Sequence, residues 1–399
     1  MPADLSSSTP PALAQLTHGQ LIQDGDPPHL LTYLATVPDP RAARGRRHPL
    51  IAILAIAAAA VLAGARSVTA IAEWAADAPQ PVRAALGARR DTPGHFAVPA
   101  EATIRRTLAR LDPEALAGAI GAWLTDRNRA GQPPRRPRAV AVDGKTLRGA
   151  RHDGRQVHLL ACMDHASRAV LAQRQVNGAP GEVPGLQPLL ADLDLADVVV
   201  TADALQTHPQ AAEFLVTDKQ AHYLLIVKAN QPTLLERCAG LPWQRMPVLD
   251  RTRDRGHGRI ELRTLKAVSV NHFGFPHTAQ VIQVTRKTRD LHTRRWRTVQ
   301  VYAVTSLPHA RASPARLADL IRAHWGIEAL HHLRDVTFAE DACKVRTGAG
   351  PSVMATLRNL VIGVVCRAGP VNLAAALRHH ARDPARPLTT LGITLECLG

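Results

Sequence analysis

Acidic residues, aromatic residues and thiol motifs are scarce in this chain. Of 399 residues, 33 are Asp or Glu against 49 Lys or Arg, a formal charge of +16, which excludes an acidic disordered tail. The five cysteines, Cys162, Cys238, Cys343, Cys366 and Cys397, show no CxxC spacing. Their odd number suggests neither a disulfide framework nor a zinc module, and a reducing cytoplasm fits best. The pairs His331–His332 and His379–His380 lack HExxH spacing, and no GxxxxGK[ST] loop supports nucleotide hydrolysis. The opening MPADLSSSTPPALAQ has no basic n-region and no apolar h-region. The one membrane-like run, Leu50 to Ala65, has 16 residues. That is short of the ~20 needed to cross a bilayer, so it reads as a buried helix, and no membrane partner is expected.

Arginine is what is abundant. Only six of the 49 cations are lysine, and arginine is the cation suited to bidentate phosphate contacts. A GC-rich genome would also inflate arginine, but such a bias should act on every segment alike. Residues 30–138 carry a net +8 and residues 251–310 a net +9, leaving the rest near neutral. Two basic regions flanking a neutral one suit a protein that grips a polyanion along two surfaces.

Periodicity divides the chain. Residues 1–29 read as a flexible arm. Residues 30–134 are helical throughout, with Ser67 and Thr103 as candidate caps and Arg105, Arg106 and Arg110 facing solvent. The AGQPPRRPR stretch, Ala130 to Arg138, marks a linker. From 135 to 250, three strands with antiparallel connections precede helix–strand alternation, which predicts an α/β fold. Residues 251–310 alternate without helical period and read as a β-rich insertion. Residues 311–399 resume the α/β domain with a long helix capped by Ser313 and Pro314, followed by C-terminal helices.

Asp143 and Asp203 each end a predicted strand, AVAVD and VVVTAD. Two such aspartates in one sheet can share a site, and two-metal phosphoryl transfer needs several carboxylates around hard cations. Candidates for the third are Glu328, Asp335, Glu340 and Asp341. Glu328 shares a helical face with Ile321, Trp325 and Asp335, and an i to i+4 pairing with His324 or His332 is its structural alternative. Asp335 lies ~10.5 Å further along the helix, so Glu328 and Asp335 cannot both serve.

LLTYLATVPDPRAARGRRHPLIAILAIAAAAVLAGARSVTAIAEWA, AVDGKTLRGA, TADALQTH, YLLIVKANQPTL, RGHGRIELR and HWGIEALHHLRDVTFAEDACKVRTG together resemble bacterial insertion-sequence transposases of the H-repeat-associated group, over residues 30 to about 365. The resemblance implies an RNase H-like mixed sheet with flanking helices, of the DDE type, interrupted by a β-rich insertion and preceded by a helical DNA-binding domain. Carried over by motif, the acidic triad falls on Asp143, Asp203 and Glu328, and Lys145 of the same VDGK motif would contact DNA. Lys228, Asn230, Gln231, His257 and Arg259 would line a DNA channel, with Arg322 and His324 supporting it and Arg105 and Arg106 as further DNA contacts. Three positions depart from the group: Ala329, His332 and Arg334. Related insertion-sequence families place tyrosine, arginine and lysine around the glutamate; here those positions are Ile321, His324 and Asp335.

The resemblance further implies two Mg²⁺ ions, with Mn²⁺ substituting, and strand cleavage and transfer at terminal inverted repeats. It also implies double-stranded DNA as partner, a homodimer on paired ends, and a nucleoid-associated cytoplasmic location. A metal-dependent nuclease and a non-catalytic DNA-binding protein on the same fold are the alternatives.

Overall fold

The computed structural model describes residues 29–44, 46–129, 139–152, 154–178, 181–256, 258–367, 369 and 372–395. The expected arm apart from His29, the whole linker from Ala130 to Arg138, and His257 lie outside the described residues. The N-terminal part contains α1 (Leu30–Leu34), α2 (Leu50–Leu62), α3 (Val68–Asp77), α4 (Gln80–Ala85), a hairpin of β1 (Arg89–Thr92) and β2 (His95–Ala97), α5 (Glu101–Arg110) and α6 (Pro113–Arg129). Leu50–Leu62 of the alanine-rich run forms α2, and all of that helix but Ile51 is buried. A helix apolar on every side belongs in a core, and alanine lets neighbours approach from all directions. Ser67 caps α3, its hydroxyl accepting from the Ala70 N–H at 3.1 Å.

Two local expectations change. The helix expected to start after Thr103 begins at Glu101, with Ala100 as its cap, because the Glu101 carboxylate favours the positive helix end. The hairpin interrupts a region expected to be wholly helical; it turns through Pro93 and Gly94, the latter at φ +77°, a conformation that glycine adopts without strain.

The remaining strands form one nine-stranded mixed sheet. Its first three, β3 (Ala139–His152), β4 (Arg155–Asp164) and β5 (Val170–Val176), are an antiparallel meander. Helix α7 (Glu182–Leu190) leads to β6 (Val199–Ala202), parallel to β3, and α8 (Pro209–Glu213) leads to β7 (His222–Val227), parallel to β6. The order β5-β4-β3-β6-β7 is RNase H-like. After α9 (Pro232–Ala239) come β8 (Asp250–Gly256), β9 (Arg259–Ser269), β10 (Gln280–Asp290) and β11 (Trp296–Thr305). Strand β11 pairs with β7, so the segment expected as an insertion continues the same sheet in the order β11-β10-β9-β8. Three helices among those that follow are α10 (Pro314–Phe338), α11 (Gly350–Arg367) and α12 (Leu373–Ala381); α13 (Ala385–Thr390) comes last. Ser313 caps α10 and Pro314 occupies its first turn, as expected.

One core joins the two ends of the chain. Leu54, Ile56 and Trp123 from the N-terminal helices, Met354, Leu360 and Val361 from α11, and Ala161 and Met163 from β4 belong to a single apolar cluster. Close approach is built into it: a Cβ on Gly121 of α6 would lie 2.0 Å from the carbonyl oxygen of Leu171.

The C-terminal end of α10 takes part in a buried ion triad. Glu340 binds Arg334 and Arg358, each at 2.8 Å, and all three side chains are at most 1% exposed. Burial would push the Glu340 carboxyl up, but the two guanidiniums overcome it and hold it below its ordinary range. Its stabilisation is therefore present at neutral pH and lost only as pH falls through that lowered value. Replacing Glu340 by Ala should leave two buried cations uncompensated and lower unfolding free energy by ~3–5 kcal/mol, measured by urea denaturation at neutral pH; a loss below ~1 kcal/mol would show the triad to be dispensable.

Candidate active site

The site is set by sheet register. In the parallel pair β3–β6, Val142 lies opposite Ala202, so the next residues, Asp143 and Asp203, emerge side by side. Each lies two residues from a side chain on the face covered by α10: Ala141 in β3 and Thr201 in β6. Asp143 was expected to end its strand. Instead β3 runs on to His152, paired with β4, and only the parallel partner β6 stops there. Its carboxylate sits where the sheet loses one neighbour.

Helix α10 crosses this face in a fixed match with the strands. His324 bonds Thr201 at 3.0 Å, His331 lies 3.4 Å from Asp143, and Lys145 binds both oxygens of Asp335 at 2.8 and 2.7 Å. Two strand residues advance ~6.6 Å and four helix residues ~6 Å, which lets the pairs 143/331 and 145/335 form together. The same match carries Glu328, four residues beyond His324, to the level of Asp203, two residues beyond Thr201. The alternative pairing of Glu328 with His324 or His332 does not form. Among the described residues Glu328 has no hydrogen-bond or ion-pair partner.

The electrostatics follow from this geometry. Partial burial, then Asp143 and Asp203, push the Glu328 carboxyl above its ordinary range, while Lys228 and Arg286 oppose the shift. Burial lowers His324, and Asp143 and Asp203 act against it. Burial likewise lowers His331, opposed by Asp143. Lys228 bridges the two oxygens of Asp203 at 2.8 and 3.1 Å. Among the described residues no group of three or more His, Cys, Asp or Glu is gathered closely enough to hold a metal ion. The donors are nonetheless hard carboxylate oxygens, and the Lys228 ammonium on Asp203 marks a point where positive charge is favoured. That donor chemistry suits Mg²⁺ or Mn²⁺.

The other acids considered for the third position are engaged elsewhere: Asp335 with Lys145, Glu340 in its buried triad, and Asp341 3.6 Å from Arg148. Arg334, unusual against the resembled group, is explained by that triad. Among the expected DNA contacts, Lys228 and Arg322 line a cavity of about 200 Å³ with Asp203, His324 and Glu328. Arg322 also donates to Thr252 at 3.2 Å. Asn230 donates to the Ala204 carbonyl at 2.7 Å and so braces the loop after Asp203, while Gln231 precedes α9. Arg259 is exposed on β9, away from the residues lining this cavity. Arg105 is exposed and paired with Glu101, and Arg106 is exposed and donates to the Ala102 carbonyl at 3.2 Å. Sequence reasoning gave no role to His331, Arg263 and Arg286, and placed Trp325 on the Glu328 face without one. The histidine is visible in the HH pair, Arg263 closes the RGHGRIELR motif, and Arg286 shows only as a member of an alternating strand.

Known proteins resemble this chain over most of its length. Residues 31–124 match the family model described as DDE_Tnp_1-associated, and residues 134–363 match the one described as Transposase DDE domain. A relative named "Putative transposase YncI" from Escherichia coli O157:H7 is 25% identical over 361 residues, covering 84% of this chain and 87% of the relative. "H repeat-associated putative transposase YhhI" from Escherichia coli strain K12 is 23% identical over 282 residues, covering 67% and 73%. Among solved structures, a cryo-EM structure of the piggyBac transposase synaptic complex with hairpin DNA aligns with a TM-score of 0.39 at 10% identity, over 97% of this chain and 78% of that one. The transposase match spans more than half of the chain and takes in β3, β6 and the whole of α10, the elements that carry the three acids, and the chain accordingly belongs to the DDE transposases, enzymes that act on DNA.

Proposed function

We propose that this transposase cleaves DNA at the ends of an insertion element and joins the freed end to target DNA, with Asp143, Asp203 and Glu328 as its catalytic carboxylates. The observation that carries this reading is the register of β3 and β6, which brings two aspartates together under the helix that bears Glu328. The three carboxylates would hold two Mg²⁺ ions, or Mn²⁺, whose charge when bound activates the attacking oxygen and stabilises the leaving one.

The chain's own residues supply position. His331 orients Asp143 from the helix, and the Lys145–Asp335 pair fixes the next turn of α10 on β3. Lys228 neutralises Asp203 through a solvent-exposed pair; such a pair contributes little to stability and is readily exchanged. In-line displacement at phosphorus requires no covalent protein intermediate, so alignment and charge carry the reaction. The helical region 30–134 would recognise terminal inverted repeats, strands from 251–310 would hold flanking DNA, and a homodimer would bring paired ends together. Arginine-rich phosphate contacts make binding steeply salt-dependent.

Purified protein incubated with Mg²⁺ and duplexes carrying the element's ends should nick and then join them, and Asp143→Asn should do neither. Binding without nicking by the wild type would leave a DNA-binding protein; cutting without joining would leave a nuclease.

Glu328 adds a stability signature. A carboxyl raised in the folded state destabilises the fold progressively as pH rises, with no penalty below its unfolded value and the full penalty above the raised one. Glu328→Gln should therefore abolish cleavage yet raise the melting temperature near pH 7.5 in chelating buffer, with the gain vanishing by about pH 4. A variant that melts below the wild type at neutral pH would contradict this electrostatic account.

A further inference from the structure

Strands β9 and β10 place Arg263 directly opposite Arg286. Like charges in a cross-strand pair destabilise a sheet, so this pairing calls for a reason. Arg263 is partly compensated by buried Glu261 on its own strand. Arg286 has no carboxylate partner among the described residues. Both guanidiniums pack on Trp325 of α10, at 4.6 and 5.3 Å from the ring centroid. The aromatic face favours cations, yet it brings the two positive charges closer together rather than neutralising them.

The arrangement lies in the wall of the cavity that contains Asp203 and Glu328. Its floor is the continuous sheet face of β7, β11, β10 and β9, where Val299 lies opposite Arg286 and Val284 opposite Leu265. Its roof is α10. Apolar walls lower the local dielectric and strengthen whatever the two arginines attract. Opposed cross-strand side chains start ~4.5–5.5 Å apart at Cβ, which allows two planar guanidinium forks to converge on one tetrahedral anion.

Building on the DNA-cutting reading above, we propose that Arg263 and Arg286, held by Trp325, form a binding site for a backbone phosphate of the DNA strand that enters the carboxylate site. Arg286 is then a positioning residue: it holds a phosphate beside the reacting one and offsets part of the negative charge at Glu328. In the free protein Glu261 and the Trp325 face offset part of the repulsion, and the bound strand would supply the anion that Arg286 lacks.

Arg286 gives the cleaner test, since removing Arg263 would strand buried Glu261. Wild type, Arg286→Gln and Arg286→Lys are compared by fluorescence anisotropy with a labelled duplex bearing a single-stranded 3′ extension, in EDTA, across a series of NaCl concentrations. Arg286→Gln should bind ~10-fold more weakly at moderate salt and reduce the slope of log affinity against log salt by ~0.7–0.9, the signature of one lost phosphate contact. Arg286→Lys should recover most of the slope but only part of the affinity. Arg286→Gln should also melt no lower than wild type, because it relieves a repulsion. Unchanged affinity and slope, or a variant that melts markedly lower or fails to fold, would overturn the proposal. Because binding is read without metal, the two ideas can fail separately: a wild type that never cleaves, with the salt slope still reduced in Arg286→Gln, removes the catalytic reading and keeps the phosphate site.

Discussion

Four residues of parallel strand pairing between β3 and β6 are the constraint on which the rest of the site depends. The pairing Val142↔Ala202 decides that Asp143 and Asp203 share a level, and a slip of one residue would turn one carboxylate to the opposite face. Nothing in either aspartate enforces that register. Apolar neighbours do: Val140, Val142, Val200 and Ala202 pack on one side of the sheet, while Ala139 and Val199 pack on the other. A short run of buried apolar pairs thus positions the acids by exclusion of water, and the acids themselves contribute repulsion.

The long helix converts this two-point arrangement into a three-point one. Leu317, Leu320 and Ile321 seat its first half on the sheet, while the Arg334–Glu340–Arg358 triad anchors the chain just past its other end. Glu328 lies between these fixed regions. A carboxylate with raised proton affinity facing two others is unfavourable for the free protein, and the rigid seating of α10 on both sides is what keeps it there. Strain of this kind gathers where a fold serves chemistry instead of its own stability.

Much of this was legible in the residues. The alanine-rich α2, the Ser313–Pro314 start of α10 and the three-strand meander carry local signals and stand where they were expected, and Asp203 follows its strand as expected while Asp143 lies inside a longer one. The choice among Glu328, Asp335, Glu340 and Asp341 was not local. It depends on what each faces: Asp335 sits on Lys145, Glu340 between two buried arginines, and Asp341 near the exposed Arg148. The identity of residues 251–310 as a continuation of the central sheet was hidden for the same reason: alternation shows that strands form, not what they pair with. The pairing of Arg263 with Arg286 depends on a register set across the connection between β9 and β10, which no single-strand pattern reveals.

The common core of the N-terminal helices, α11 and the sheet has a consequence for how such a protein can change. Trp123, Met354 and Met163 share one apolar cluster, and Tyr33 near the beginning donates to Asp126 at 2.6 Å while His29 contacts the Gly392 carbonyl. The N-terminal helices are therefore not a detachable unit. A relative's helices grafted onto this sheet would meet a foreign α11, so any change of recognition that depends on them has to arise on their exposed face, residue by residue, with the buried side held constant.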